Sequence, residues 1–447
     1  MSDPVREELV RLAETVLAAS EAQETEVLLM TEESYLTRFA KNVIHQNVGS
    51  RGASVIVRTV TDRRIGVAQA ESLDPEALWE TLRTAQEISA VRPPLADFRG
   101  LSKPGTVRPV NSFDAATAGC TPERRAEIVV ALVAAAKRRK AEAAGLVRTR
   151  SGQIVIANSR GVRAAHRSSG AEFQTVVTCG DGSGFGEDSS FALDRLEVAR
   201  VIRDGVGKAV RSRKPQPIEA GEYDVVLEPA AVGLMLNMLG YMGLGAKAFQ
   251  EGRSFMSGKI GKPITGSAVT LVDNARHARL RGMPFDYEGV PRKRVKLIDG
   301  GVAAGVVYDS YLAGREKGRK RSTGHALPPT FASYGAMPAY LVMDGGRESL
   351  KSLIGSTQRG LLVTRFHYLN PAERIRTLLT GMTRDGTFWI EDGRIAHPVT
   401  NLRFTESVLE SFSRIEGLTR MRRVVDGSIL CPAVKVRGFR FTGTTDF

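Results

Sequence analysis

Residues 224–264 read DVVLEPAAVGLMLNMLGYMGLGAKAFQEGRSFMSGKIGKPI. The segment DVVLEP is typical of a buried strand, the apolar run after it of a helix, and RSFMSGKIGKP of a glycine-rich basic loop. This order of elements resembles the floor of a binding site. The predicted helix, however, offers Asn237, Met238, Tyr241 and Met242, with no His, Cys, Asp or Glu.

The composition predicts a globular protein of two domains. The chain has 447 residues, of which 42% are hydrophobic and 25% charged. No apolar stretch reaches the roughly 18 residues that a membrane span requires, and the first residues contain no apolar signal segment. The three cysteines, Cys120, Cys179 and Cys431, lie far apart, so we expect no disulfide framework and a reducing cytoplasm.

The formal charge of +14 is compatible with a nucleic-acid or acidic partner. The basic residues are nevertheless scattered and are not interleaved with aromatic residues. A solvated, arginine-rich surface is therefore the favoured explanation, and we expect no nucleic acid as a partner.

The first half of the chain predicts a mixed α/β domain at residues 1–214. Asp3-Pro4, Asp74-Pro75 and Thr121-Pro122 each predict a capped helix start, and the third helix is expected to end near Gly145. Alternating and β-branched residues predict strands within 26–71 and a meander over 151–179. A further helix is expected over 193–212.

The second half, residues 218–447, predicts a domain of mostly short strands, with a linker at Pro215 and Pro217. Its many strands and Gly/Asp turns favour a curved or barrel-like sheet. The segment GVVYDSY is among the expected strands, and ESVLESFSRIEG is the one expected helix besides that of the opening stretch. The predicted fold class is therefore α+β, with an α/β domain followed by a β-rich domain.

No metal or nucleophile motif is evident. None of the six histidines lies within five residues of another, so a metal site would have to be assembled from distant loops. In KRSTGHA, Ser322, Thr323 and His325 follow Asp309 and Tyr311, and a Ser–His–Asp arrangement can be imagined. There is no G-x-S-x-G elbow, and a polar loop is the favoured interpretation.

Two glycine-rich stretches and one basic run complete the candidates. GDGSGFGE (180–187) and SGKIGKP (257–263) do not match a phosphate-binding loop, and turns are the better interpretation of both. The run GREKGRKRST could contact phosphates or a carboxylate, although a solvated loop is the alternative. It carries five cations: Arg315, Lys317, Arg319, Lys320 and Arg321.

Nearly the whole chain resembles the TldD/PmbA family. The first half contributes YLTRFAKNVIHQNVGSRGASVIVRTVTDRRIGVAQAESLDPEAL to the resemblance. The second half contributes four stretches in order: the opening stretch from VVLEP, then VYDSYLAGREKGRKRSTGHA, GTFWIEDGRIAHPVTNLRFTESVLESF and CPAVKVRGFRFT. Each is weakly specific alone, and the four together are strong.

The resemblance implies a two-subunit metallopeptidase. In that family the TldD-type subunit carries HExxxH on a helix, and a cysteine nearer the C-terminus completes its zinc site. The PmbA-type subunit, also called TldE, lacks the motif and pairs with the first, and together they enclose a chamber that degrades unfolded peptides. Family members also act in maturing peptide antibiotics and in removing antitoxins, and an older description is modulator of DNA gyrase.

When the HExxxH helix of the family is aligned with LMLNMLGYMG, Asn237 and Met242 occupy the two His positions and Met238 occupies the Glu position. These residues supply neither zinc-grade imidazoles nor a general base, and Cys431 does not align clearly with the ligand cysteine. The resemblance therefore implies a non-catalytic PmbA/TldE-like subunit that holds no cofactor itself, with zinc expected in the TldD-type partner.

The expected partners are a TldD-like subunit and unfolded or extended peptides, with a homodimer possible and no membrane. The residues expected to face substrate are Tyr311, Arg315, Ser322, Thr323 and His325. Two alternatives stay open. One is a self-sufficient peptidase with an unrecognised metal site or a Ser/His site, and the other is a nucleic-acid-binding regulator.

Overall fold

The computed structural model describes residues 4–316 and 320–444. Two sheets organise the chain, one of six strands and one of eleven. The α+β prediction is confirmed, with an α/β first half and a strand-rich second half whose sheet closes partly into a ring. The predicted boundary at 214–218 lies between the last helix of the first half and the first strand of the second, and stays a prediction. No helix among the described residues is both long and apolar enough to cross a membrane.

The first sheet is antiparallel throughout, in the order β3-β2-β1-β4-β5-β6. Strands occur within both predicted segments, 26–71 and 151–179, but the second segment contains two strands joined by one turn and not a meander of three. The strands are β1 (Glu24–Ala40), β2 (Val43–Thr61), β3 (Arg64–Ala70), β4 (Glu142–Asn158), β5 (Arg163–Cys179) and β6 (Gly182–Ser190). The turns at Lys41-Asn42 and Asp62-Arg63 place all four residues at positive φ, as two-residue hairpin loops require.

Five helices accompany this sheet: α1 (Pro4–Ala18), α2 (Pro75–Val91), α3 (Ala115–Ala118), α4 (Pro122–Arg138) and α5 (Val198–Arg211). The side chain of Thr121 caps α4 as predicted, accepting a hydrogen bond from the backbone N–H of Arg124. Helix α2 starts at Asp74-Pro75 as predicted, but the Asp74 carboxylate accepts from the Ser72 hydroxyl and makes no cap bond. Asp3 lies outside the described residues.

The third long helix ends earlier than predicted, and the residues before Gly145 belong to a strand. Helix α4 stops at Arg138, Lys140 takes a positive φ, and β4 begins at Glu142. AEAAG has good helix formers, but here the segment pairs with β5, and Gly145 lies where an added Cβ would be 2.1 Å from the Gln174 carbonyl oxygen. Tertiary pairing overrides local propensity at this point.

The stretch GDGSGFGE was predicted as turns, but most of it forms β6. Its alternate glycines all face α5. A Cβ at Gly184 would lie 2.2 Å from the Gly205 carbonyl oxygen, and a Cβ at Gly186 would lie 2.4 Å from that of Val201. These glycines therefore let the helix pack directly against the strand. The other glycine-rich stretch, 257–263, contains turns as predicted.

The second sheet contains a closed ring of five strands, β7-β12-β13-β15-β17, completed where β17 pairs with β7. The ring strands are β7 (Gly221–Leu227), β12 (Arg359–Glu373), β13 (Leu378–Glu391), β15 (Leu402–Ser407) and β17 (Ile429–Thr444). The other strands are β8 (Leu271–Asp273), β9 (Val295–Asp299), β10 (Val302–Ala303), β11 (Leu341–Met343), β14 (Arg394–Pro398) and β16 (Ile415–Val425). Four buried phenylalanines pack on one another in this half: Phe366, Phe404, Phe439 and Phe441.

The second half has more helix than predicted: α6 (Pro229–Gly243), α7 (Ala246–Gln250), α8 (Ser310–Arg315), α9 (Leu350–Gly355) and α10 (Val408–Ser413). GVVYDSY was wrongly predicted as a strand. Only Val307 makes a β-bridge, to Gly245, and α8 begins at Ser310 because the Asp309 carboxylate caps it by accepting from the Leu312 N–H.

The two halves meet through a buried group of charges. Arg58 of β2 forms ion pairs with Glu26 of β1 at 2.8 Å and with Glu288 of the second half at 3.3 Å. Asp286 lies beside them and accepts hydrogen bonds from the N–H groups of Glu288, Val290 and Ala326. We call Glu26, Arg58, Asp286 and Glu288 the seam cluster. Nearby, the fully buried ring of Phe285 packs against the first sheet.

Candidate functional site: the outer face of helix α6 and the loop at 305–325

Helix α6 follows directly from β7 and lies across the ring of strands. Pro229 occupies its first turn, where its missing N–H would have no helical partner in any case. Glu228, immediately before the helix, forms an ion pair with Lys208 of α5 instead of capping. Both ends of this pair are largely buried, so the pair ties the start of α6 to the first half of the chain.

The three α6 residues predicted to occupy the motif positions do not converge. Asn237 is exposed, Met238 is half-buried, and Met242 is 0% exposed within the main core. The side chains of Asn237 and Met242 therefore face solvent and core respectively, and do not meet at a common ligand.

Cys431 of β17 does not complete a metal site with these positions. It is buried, and its thiol contacts the Pro229 carbonyl oxygen at 3.4 Å. Pro229 lies eight residues before Asn237, about 12 Å along the helix axis. Burial, with a smaller effect of Glu187, raises the pKa of the Cys431 thiol, so the metal-binding thiolate form is disfavoured.

The outer face of α6 opens onto a small basic cleft. Tyr241 is 39% exposed, and its hydroxyl accepts a hydrogen bond of 2.8 Å from Arg374, whose guanidinium also lies 4.7 Å from the ring centroid. The cleft has a volume of about 140 Å³. Its polar lining includes Tyr241, Tyr334, Lys247, Arg253 and Arg374, with no carboxylate. Such a surface can hold main-chain carbonyls or carboxylates of a ligand.

The loop at 305–325 contains a buried Thr–His–Asp relay rather than the Ser–His–Asp set considered from the sequence. The Nδ1 of His325 lies 2.9 Å from the Thr323 hydroxyl, and its Nε2 lies 2.9 Å from Oδ1 of Asp273. His325 and Asp273 are both 0% exposed. Burial lowers the pKa of His325, which keeps the imidazole neutral.

Neither hydroxyl of this loop is poised as a nucleophile. The Thr323 hydroxyl accepts from the Tyr308 N–H at 2.7 Å, and the Ser322 hydroxyl donates to the Tyr308 carbonyl and accepts from the Gly324 N–H. Asp309 serves as the cap of α8. These hydrogen bonds explain the polar residues of the loop by folding alone, as the sequence interpretation favoured.

The other predicted substrate residues lie nearer the surface. Tyr311 is half-buried against residues 98–101 of the first half, and Arg315 is exposed, 3.5 Å from Asp97. In the basic run, Lys320 lies 4.9 Å from the Tyr308 ring centroid and Arg321 is exposed, whereas Lys317 and Arg319 lie outside the described residues. The five predicted residues thus do not form one surface, because His325 is enclosed.

Sequence reasoning missed Asp273 and Arg374. Asp273 ends a short buried strand 52 positions before His325, and Arg374 lies 133 positions from its partner Tyr241. No spacing rule connects residues so far apart. The only available signal was an Asp at the end of an apolar strand, which is too common to single out.

Two family models match consecutive parts of the chain. The PmbA/TldA metallopeptidase central domain matches residues 120–213, and the PmbA/TldA metallopeptidase C-terminal domain matches residues 220–443, half of the chain. The chain belongs to the PmbA/TldD family. The predicted resemblance is therefore confirmed.

Curated PmbA/TldD relatives are similar at low identity. A metalloprotease of Methanothermobacter thermautotrophicus is 25% identical over 59% of this chain and 54% of its own length. A metalloprotease TldD homolog of Haemophilus influenzae is 25% identical over 53% of this chain and 49% of its own length. A metalloprotease PmbA homolog of Buchnera aphidicola is 23% identical over 66% and 64%. The chain thus matches about half to two thirds of the length of these relatives.

Solved structures of the family share the fold. TldE from Thermococcus kodakarensis superposes with a TM-score of 0.87 at 22% identity, over 98% of this chain and 99% of that one. A putative modulator of a DNA gyrase from Thermotoga maritima gives 0.87 at 17% identity, over 97% and 100%. At these identities the likeness establishes the PmbA/TldD fold.

The zinc that the metallopeptidase family implies does not fit the motif positions of this chain. Asn and Met are poor zinc ligands, thioether sulfur suits softer metals, and the buried Met242 points away from Asn237. Among residues 4–316 and 320–444, no group of three or more His, Cys, Asp or Glu side chains is placed to hold a metal ion. The α6 positions can therefore support packing and surface contacts, and no metal-assisted step is assigned to them.

Proposed function

We propose that this chain is a non-catalytic, PmbA/TldE-like subunit of a two-chain metallopeptidase that processes unfolded or extended peptides. It would complete the chamber and hold substrate, and zinc would belong to a TldD-type partner. The observation that carries the proposal is α6, where the residues expected at the motif positions are Asn237, Met238 and Met242, and Met242 lies in the apolar core.

The cleft beside α6 supports a role in holding peptide. Lys247 and Arg374 provide donors, as does Arg253, which is paired with Glu251 just outside the lining, and Tyr241 and Tyr334 provide exposed ring surface. An extended peptide offers main-chain carbonyls that such donors can bind whatever its sequence. These features suit a subunit that positions peptides while another chain cuts them.

The direct test is cleavage of a fluorescent unfolded peptide by this chain alone, with and without a chelator, with metal content assayed on the same sample. We expect no cleavage and no stoichiometric zinc. Addition of a TldD-type chain should then give chelator-sensitive cleavage. Chelator-sensitive cleavage by the isolated chain, with bound metal, would contradict the proposal and favour a self-sufficient peptidase.

A variant pair tests the contribution of the α6 cleft within the complex. Arg374→Gln removes the donor to Tyr241, while Arg376→Gln removes an exposed cation two residues away on the same β12–β13 hairpin. We expect KM for peptide to rise several-fold for Arg374→Gln alone, with kcat little changed. Equal kinetics for the two variants, with the complex intact, would assign the cleft no part in peptide binding.

A further inference from the structure

A second recess, separate from the α6 cleft, lies between the first sheet and the second half of the chain. It consists of two adjoining pockets of about 260 and 250 Å³. Both pockets are lined by Arg150 of β4, Arg281 and Tyr340. We call this recess the seam groove.

Arg281 is a half-buried cation without an anionic partner. Among the described residues, its guanidinium forms no ion pair, whereas Arg150 pairs with Glu172 at 3.4 Å. Burial, reinforced by the neighbouring Arg150, lowers the pKa of Arg281. An arginine stays protonated even so, and a half-buried charge without a partner carries an electrostatic penalty that a bound anion would relieve.

The first sheet makes room for this guanidinium through a glycine. A Cβ at Gly170 of β5 would lie 2.4 Å from Nη1 of Arg281 and 3.2 Å from Cγ of Arg150. Gly170 does not take a positive φ, so its backbone conformation does not require glycine. Glycine inside a strand often marks the close approach of another group, and here that group is Arg281.

Arg281 lines both pockets, and the larger of the two has fewer carboxylates in its lining. The carboxylate in that lining is the exposed Glu32, and burial lowers the pKa of His166 there to about 4, which leaves it neutral. The smaller pocket is more acidic. Its lining carboxylates are Glu172, Glu187, Asp188 and Asp426.

We propose that the seam groove binds a carboxylate of an extended peptide, its C-terminus in the first instance, through Arg281 with Arg150 as a second cation. A guanidinium matches a carboxylate with two parallel hydrogen bonds. The rings of Tyr287 and Tyr340 line the same pocket and offer surface to the residues that precede the carboxylate. The nearby Glu172 and Glu32 disfavour a more highly charged phosphate. This inference rests on the proposed function, because it assumes that the chain handles peptides.

The test uses the full chain without a partner and a labelled, unstructured decapeptide of Gly, Ser and Ala. The peptide is made with a free C-terminal carboxylate and with a C-terminal amide, and binding is followed by fluorescence anisotropy. We expect the acid form to bind at least about 10-fold more tightly than the amide, since charge-assisted hydrogen bonds contribute that much. Arg281→Gln should bring the acid to the level of the amide.

Two further variants control the result. Arg276→Gln removes the same charge from an exposed position five residues away and should keep the preference for the acid. Gly170→Ala leaves Arg281 in the chain but places a Cβ against its guanidinium, and should weaken binding of the acid form alone. Thermal denaturation of each variant establishes that it is folded.

Equal affinity for acid and amide, or a preference that survives Arg281→Gln, would overturn the inference. Stronger displacement of the acid peptide by inorganic phosphate than by acetate would also overturn it, because the groove would then be a phosphate site. Because binding is measured without cleavage, the outcome is separate from that of the proposed function. An isolated chain that cuts peptides would refute the latter and leave the carboxylate site in place.

Discussion

Helix α6 and the seam cluster are both buried, but they are stabilised in opposite ways. Between Pro229 and Gly243 the helix has no charged side chain, and nine of its fifteen residues are buried. The seam cluster brings three carboxyl groups and one guanidinium out of water, and links strands to a loop some 230 positions away. The helix is thus held by apolar packing, and the contact between halves by paired charge.

The difference indicates where the ionisable side chains of this chain lie. In a helix that carries catalytic groups, ionisable side chains would face a cleft. On α6 the outward positions are Asn237 and Tyr241, and the charges nearest to them come from other elements, such as Arg374. Buried ionisable groups lie elsewhere, in the seam cluster between the halves and in the His325–Asp273 pair of the second half.

The largest effect is expected from Arg58→Met. This change leaves Glu26 and Glu288 buried without their shared cation, and breaking a buried ion pair from one side costs about 3–5 kcal/mol. The free energy of unfolding from guanidinium melts measures it. Arg83→Met on α2, where Arg83 and its two partners are exposed, should change stability by less than about 1 kcal/mol. Equal effects would show that the seam cluster does not hold the halves together.

The next effect concerns α6 itself. Met242→Ala should lower the free energy of unfolding by about 2–5 kcal/mol, because it leaves a cavity in the main core. The exposed Asn237→Ala should stay within about 0.5 kcal/mol. If Met242 instead faced a ligand site, the two variants would differ little in the same melts, and that result would contradict the packing role.

The smallest effect is a dependence of stability on pH. Burial raises the pKa of Glu26 to about 7, and burial together with Glu288 also raises the pKa of Asp286. A carboxyl whose pKa is higher in the folded state stabilises the fold at low pH and loses that contribution as pH rises through about 7. The Glu26 and Asp286 carboxyls should therefore lower the Tm by a few degrees between pH 5.5 and 8.5, against an opposite contribution from His166 and His325, whose lowered pKa values favour the fold as pH rises.

Glu26→Gln provides the control for this slope, because the amide keeps the shape and does not titrate. The variant should show a shallower fall of Tm over the same range. Glu187, whose pKa burial also raises to about 7, contributes with the same sign, so the slope should be reduced and not abolished. An identical dependence of Tm on pH in the wild-type chain and in Glu26→Gln would refute the assignment.

Local sequence pattern predicted the α+β class and the strand regions of the first sheet, because the alternation of apolar and polar residues and the hairpin turns depend on residues that are close in sequence. It failed where tertiary contact decides. AEAAG became the start of β4 through pairing with β5, and the glycines of β6 reflect the approach of α5.

The absence of His, Cys, Asp and Glu from α6 was readable from residue types alone, but the outward-facing Asn237 and the enclosed Met242 were not. Nor was the partner of His325, since Asp273 reaches it only through the fold. Residues that meet across 52, 133 or 230 positions leave no local trace in a single sequence.

The ring of the second half also has a consequence for how the chain acquires its structure. The ring closes only when β17 pairs with β7. Leu227, the last residue of β7, and Ile429, the first of β17, are about 200 residues apart. At about 5–20 residues per second, synthesis separates them by on the order of 10 to 40 s. During that interval the apolar face of α6 has no finished barrel to pack against. A nascent chain of this protein is therefore a natural client for chaperones that shield apolar helices until β17 emerges.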